Sequence, residues 1–403
     1  MPGVRSVALG IWVTVGSRHE AEDTSGISHF IEHMAFKGTR NRSALDIARA
    51  IEQGGGYVNA FTGKELTCFY VHVLDEQLPM AMDILADILA NSLFEPAQMD
   101  REKQVILDEI RDLEDSPDEL SHELFTRALF KPHSLARPIL GSPENVLRFT
   151  RDDLVQFIRA HYAPDRVLVA AAGRVNHREL VRLVQDKLQL QSEGSRPDGN
   201  VPPPLEPGEI REQRAIQQAH VCVGGRGLRY SDERRYVIFV LNTALGGGMS
   251  SRLFQNVREK HGIAYAIYSF ADLLSDTGVA GVYYATDGSR VDKAFELVMA
   301  ELRALRESPI AADDLQGVKT QVKGNTMLAL ESVATRMNRL AKMELHLGRF
   351  VDLEETGRCI DAVTGRQVQD LADELFSEDN LITMILEPTN EARNQQGGEE
   401  EHL

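Results

Sequence analysis

The 403-residue sequence predicts an α+β protein built of two homologous domains, each a mostly antiparallel sheet packed with helices. Length is the first reason: the chain is too long for one ordinary core and suits two or three domains. The second is a break in the middle, where residues 191–211 (QSEGSRPDGNVPPPLEPGEIR) hold five prolines and three glycines without apolar periodicity, the composition of a linker. The third is repetition. Strand-like runs open both halves (Val7 to Val15 and Ala219 to Gly224), and Val7 to Val221, Thr150 to Thr364 and Asp165 to Asp379 are all displaced by 214 residues. The expected organisation is therefore 1–190, a linker over 191–211, a homologous domain over 212–389, and a polar acidic tail over 390–403 expected to be disordered.

Residues Ser25 to Phe36 (SGISHFIEHMAF) open on a capping residue and place Ile27, Phe30, Ile31 and Met34 on one stripe, which predicts a short amphipathic helix. Gly54, Gly55 and Gly56 end the next helix, and Tyr57 to Tyr70 alternates as a strand. A helix starts at Pro96, with Met99, Ile106, Ile110 and Leu113 as its buried stripe. Thr150 with Asp153, and Thr364 with Gln367, are capping boxes that each open a helix followed by a strand.

Composition narrows the function. With 61 acidic against 44 basic side chains the formal charge is -17, which opposes binding to nucleic acid or to anionic lipid. Cys68, Cys222 and Cys359 stand far apart with no C-x-x-C pair, so neither a disulfide framework nor a thiolate zinc knuckle is expected. No apolar run is long enough for a membrane span, and Met1 to Arg5 lacks the layout of a secretory signal. A cytoplasmic protein of bacterial type is the expectation, an organelle matrix the lesser one.

Chemistry concentrates in the first predicted helix. His29 and His33 lie one turn apart, so their imidazoles can converge on one point, with Glu32 beside them. The spelling H-F-I-E-H is the H-x-x-E-H order of zinc peptidases with the inverted motif. Two neutral imidazoles suit zinc, a catalytic site needs a third protein ligand, and a neighbouring carboxylate can take the proton of the attacking water. On the helix from Pro96, Glu102 and Glu109 share a face; one could bind the metal while the other holds a histidine. Spacing alone does not choose Glu109 over Glu102, Glu114 or Asp108.

Three stretches, GSRHEAEDTSGISHFIEHMAFKGT (Gly16 to Thr39), GGGYVNAFTGKELTCFY (Gly54 to Tyr70) and REKQVILDEI (Arg101 to Ile110), resemble the catalytic domain of the pitrilysin family, in its mitochondrial-processing-peptidase branch. The resemblance implies a zinc-dependent endopeptidase acting on unfolded peptides or presequence-like segments. Its zinc glutamate, 76 residues after the second histidine, falls on Glu109, with Glu102 at the supporting position and Glu32 as general base. One Zn2+ per chain is implied, because the second half contains no H-x-x-E-H. In GGGMSSRLFQNVREKHGIAY (Gly246 to Tyr265), Arg258 and Tyr265 match the family's Arg-x6-Tyr pair, placed on the substrate carbonyl or oxyanion. Asn59, Ala60, Phe61 and Thr62 match an edge strand that pairs with substrate backbone. Glu119 and Glu123 match acidic positions that receive an arginine near the cut, although that stretch is acidic throughout and a solvated face explains it equally well.

Two-chain relatives join the zinc motif of one chain to the Arg/Tyr pair of another; this chain carries both, which implies a homodimer with composite sites. Gly246 to Gly248 are expected either as a loop near substrate or as close backbone packing at a helix start. Such proteins begin about twenty residues earlier with a further strand, so an open sheet edge is expected in the first half. The alternative to an enzyme is a catalytically silent structural subunit of the same fold, as in respiratory-complex core proteins. Those usually lose zinc or base residues, which are intact here.

Overall fold

The computed structural model describes residues 1, 3–190 and 201–389; the acidic tail and residues 191–200 of the expected linker lie outside the described residues. Two compact units result, and they do not coincide with the sequence halves. The first takes residues 1–112, 133–190 and 329–350, the second 113–132, 201–328 and 351–389.

In chain order, β1 (Ser6–Val13), α1 (Ile27–Ala35), α2 (Ala44–Glu52), β2 (Tyr57–Thr62), β3 (Thr67–Leu74), α3 (Leu78–Asn91) and α4 (Pro96–Asp115) begin the first unit. Helix α5 (Pro117–Phe130) belongs to the second, before α6 (Pro143–Arg148), α7 (Arg151–His161), β4 (Val167–Gly173) and α8 (His177–Lys187) return to the first. The second unit continues with β5 (Gly208–Arg214), β6 (Ala219–Gly227), α9 (Arg235–Gly246), a π-helical turn (Phe254–Glu259), β7 (Ala264–Leu273), β8 (Gly278–Thr286), α10 (Val291–Glu307) and α11 (Ala312–Ala329). Helix α12 (Val333–Leu347) is part of the first unit, and α13 (Leu353–Ala362), α14 (Gly365–Leu375) and β9 (Ile382–Pro388) complete the second.

The first sheet has the order β2-β3-β1-β4, with every pairing antiparallel. Strand β1 shows why it is central: Val7, Leu9, Ile11 and Val13 face a core shared with α1, α3 and α7, while Ala8 and Trp12 face Met337 and Ala341 of α12. A side chain at Gly10 would strike the Trp12 ring at 2.6 Å, so glycine makes room for the indole. Tyr57 to Tyr70, expected as one strand, is a hairpin. Gly63 N donates to Leu66 O at 2.8 Å and closes the turn between β2 and β3. Beyond β4, among the described residues, no strand is paired. An apolar groove of about 860 Å³ lies there, between β4, α8 and the end of α12, lined by Val167, Val169, Val184, Leu188, Leu340 and Phe350.

The second sheet has the order β5-β9-β6-β8-β7, antiparallel except for β5 against β9. Strand β5 corrects the linker reading over 208–211. Its sequence GEIREQR is polar and almost wholly exposed, so no apolar alternation marks it. The repeat itself is visible in both capping boxes: Thr150 Oγ1 accepts from Asp153 N at 3.4 Å and Thr364 Oγ1 from Gln367 N at 3.2 Å. The common displacement slips within the sheets, however. Val7 faces Gly173, but Val221 faces Ile385, two residues short of the Glu387 that a constant 214 requires. Gly246 ends α9 rather than starting a helix, and a Cβ on it would meet Ser269 N at 2.2 Å; close packing against β7 is its role.

Candidate metal centre

Helix α1 is held from below by the predicted stripe, Ile27, Phe30, Ile31 and Met34, all at most 2% exposed. Its N-cap is Gly26 rather than Ser25: the backbone turns there through φ +97°, a conformation natural to glycine. His29 and His33 then share a side of the helix, with ring centroids 4.6 Å apart. Helix α4 buries Met99, Ile106 and Ile110 and presents Glu102 and Glu109 to the histidines.

Glu109 Oε2 lies 3.6 Å from His29 Nε2 and 3.3 Å from His33 Nε2, and one atom from each of the three residues falls within 4.8 Å of the others. That carboxylate oxygen is closed off from solvent and has no hydrogen-bond partner. Burial, and then the neighbouring His33, hold the His29 pKa down at about 3, so the ring is neutral with a lone pair to offer. An orphaned carboxylate oxygen facing two imidazole nitrogens is a donor set that fits a zinc ion, and leaves room for a fourth, exchangeable ligand.

Of the two glutamates, Glu102 is the one beside the outer nitrogen of a histidine. Buried at 6% exposure, its Oε2 lies 3.2 Å from His33 Nδ1, which fixes the proton there and turns Nε2 toward Glu109. Lys37 Nζ sits 2.6 Å from the other oxygen of Glu102, a partner the sequence reading missed although it stands one turn after His33. Glu32 points its Oε2 at Thr62, whose hydroxyl donates to it at 2.6 Å. Burial raises the Glu32 pKa, against the pull of the Thr62 bond. Thr62, expected only as part of a substrate edge, therefore also orients the expected base. The rest of that edge is as the resemblance implied in position: β2 is the outer strand of its sheet, with Asn59 and Phe61 exposed and Ala60 buried. Asp108 and Glu114, open alternatives to Glu109, are exposed on α4.

The remaining candidates stand on the second unit. Glu119 is exposed and Glu123 half-buried, one turn apart on α5. Arg258 lies in the π-helical turn with its guanidinium over the Phe254 ring at 4.8 Å, and Tyr265 is 64% exposed at the start of β7.

Residues 1–143 match the family model described as "Insulinase (Peptidase family M16)", and residues 148–322 match "Peptidase M16 inactive domain". A zinc protease of Bacillus subtilis, described as uncharacterized, is 40% identical over 95% of this chain and 94% of its own. The chain belongs to the peptidase M16 family. A further zinc protease described as uncharacterized, from Streptomyces coelicolor, is 40% identical over 96% of this M16 chain and 86% of its own. The fold recurs in a protease from Helicobacter pylori (TM-score 0.87, 20% identity, 96% and 94% of the two chains) and in an M16 inactive domain from Pseudomonas fluorescens (TM-score 0.89, 19% identity, 96% and 94%). The stretch matched to the inactive domain, 148–322, contains no H-x-x-E-H motif. Among the described residues of this M16 protein, no helix is long and apolar enough to cross a membrane.

Proposed function

We propose that this M16 chain is a zinc-dependent endopeptidase that cuts extended, unfolded polypeptide. The observation that carries the reading is the solvent-shielded Glu109 oxygen without a hydrogen-bond partner, facing both histidine Nε2 atoms, with the Glu32 carboxylate on the same helix. His29, His33 and Glu109 would hold the ion, and zinc bound there supplies Lewis acidity toward a scissile carbonyl and acidifies water. Glu32, steadied by Thr62, accepts the proton of the attacking water and returns it to the leaving amine. The free edge of β2 offers main-chain hydrogen bonds that select extended backbone rather than a particular sequence.

Arg258 and Tyr265 are assigned to the substrate carbonyl, acting across a homodimer in which each site takes its metal residues from one chain and this pair from the other. Glu119 and Glu123 are assigned to an arginine of the substrate. The intact ligand and base set speaks against the silent structural subunit.

The test is direct. Purified protein should contain one zinc per chain and cleave an unfolded peptide substrate, and a chelator or Glu32→Gln should abolish cleavage. Metal-free protein that stays inert after zinc is restored would overturn the assignment.

A further inference from the structure

Helix α1 cannot cap its own start. Its N-cap position is a glycine, and a Cβ on Gly26 would come within 2.7 Å of Gly141 Cα and 2.8 Å of Leu140 O, so no side-chain cap can be placed there. The first backbone N–H groups of the helix still need acceptors. Glu20, six residues upstream and 3% exposed, supplies two: Oε2 accepts from Gly26 N at 2.7 Å and Oε1 from Ser28 N at 2.8 Å. A carboxylate at this end also complements the helix dipole.

Glu20 is itself anchored. Arg137 donates to its carbonyl oxygen, and the preceding turn is tied to the β2–β3 turn by Ser17 N to Gly63 O (3.2 Å), Arg18 N to Lys64 O (2.8 Å) and the buried Arg18–Glu65 ion pair (2.6 Å). That β-turn follows Thr62, which holds Glu32. A closed ring of contacts thus runs from the hairpin through Glu20 to the start of α1, along the helix to Glu32, and back to the hairpin.

We propose that Glu20 is a positioning residue of the metal centre: its grip on the Gly26 and Ser28 N–H groups fixes where α1 begins, and so where His29 and His33 stand opposite Glu109. Ser28 directly precedes His29 in the helix, so a displacement of Ser28 passes into His29. The inference rests on the zinc reading of the same site, and it concerns a residue that touches neither metal nor substrate.

The test is zinc affinity, measured by competition with a chromophoric chelator on the whole chain. Glu20→Gln keeps the shape of the side chain but sets an amide NH₂ against one of the backbone donors, and should bind zinc 10- to 100-fold more weakly at a temperature where near-UV circular dichroism shows it folded. A purely structural role would lower the melting temperature and leave the affinity of the folded protein unchanged, which would overturn the proposal. Should Glu20→Gln not fold, hydrogen exchange of the wild type decides: in zinc-free protein the Gly26 and Ser28 amides should be as protected as the middle of α1, and exchange at loop rates would sink the idea. Wild type that takes up no zinc at all overturns the metal reading, and this inference with it. Wild type that binds zinc, alongside a Glu20→Gln that binds equally well, overturns only the inference.

Discussion

Replacing Glu32 by Gln removes the proton acceptor but neither imidazole nor the Glu109 carboxylate, so zinc content should stay at the wild-type level while turnover of a peptide falls at least about 100-fold. Metal analysis and turnover on the same sample check both halves. His19 permits a second test, because its Nδ1 accepts the Gly16 N–H at 3.1 Å and can do so only when unprotonated. Burial and then Arg18 depress its pKa to about 4, whereas an unfolded histidine titrates near 6.5. Between those values the unfolded chain binds the extra proton, so the stability His19 contributes is present above pH 6.5 and is lost on acidification toward 4. By pH 5 the loss is roughly 2 kcal/mol. In chelator-treated protein, His19→Asn should lose correspondingly less denaturation free energy between pH 7 and pH 5 than wild type. At this scale the sequence displayed His29, Glu32 and His33 because helical spacing alone brings them together. Glu109 needed a family resemblance, since a glutamate on an acidic helix looks the same whether it faces solvent or a metal. Glu20 and Lys37 gave no signal, because a bond from a side chain to a backbone N–H, or to a carboxylate on another helix, leaves no periodic trace.

Helices with caps and apolar stripes were readable element by element, and α1, α4, α7 and α14 lie where capping residues, Pro96 and the stripes put them, with α1 starting one residue late and Leu113 of the α4 stripe only half-buried. Strands were readable only where a face is buried. The polar β5 was invisible, and the β2–β3 hairpin read as one strand because the residues on its turn, Lys64 and Glu65, sit between two runs of the same alternation. Helix α12 covers the face of β1 that carries Ala8 and Trp12, with Met337 only 1% exposed against it. Met337→Ala should therefore cost about 2–5 kcal/mol in urea unfolding, as an interior cavity does, with zinc-binding stoichiometry unaltered in the folded protein. On α5, Glu119 and Glu123 stand one turn apart, within the span of one guanidinium fork. If they receive a substrate arginine, a peptide with Arg before the cut should be cleaved about tenfold faster than its Ala analogue, and the double change to Gln should narrow that gap. Equal rates on the two peptides would leave these glutamates as a solvated helix face.

The duplication was legible across the whole molecule because both halves keep their capping boxes; the two-residue slip between strands was not, because register is set by pairing and leaves no mark on either strand alone. Likewise, the linker divides the sequence but not the fold, since α5 and α12 each belong to the unit built mainly from the other half. The metal residues fall in the first unit and Arg258 and Tyr265 in the second, and the proposed homodimer takes the two sets from two chains. Chain mixing tests that. A His33→Ala chain keeps its tyrosine but loses a metal ligand, and a Tyr265→Phe chain keeps the metal residues but lacks the phenol; each homodimer alone should be nearly inactive. Random pairing after subunit exchange makes about half the dimers mixed, and each mixed dimer regains one of its two sites, so activity should rise to roughly a quarter of wild type. If both sets act within one chain, no dimer gains a complete site and the mixture stays at the mean of its parents, however thorough the exchange.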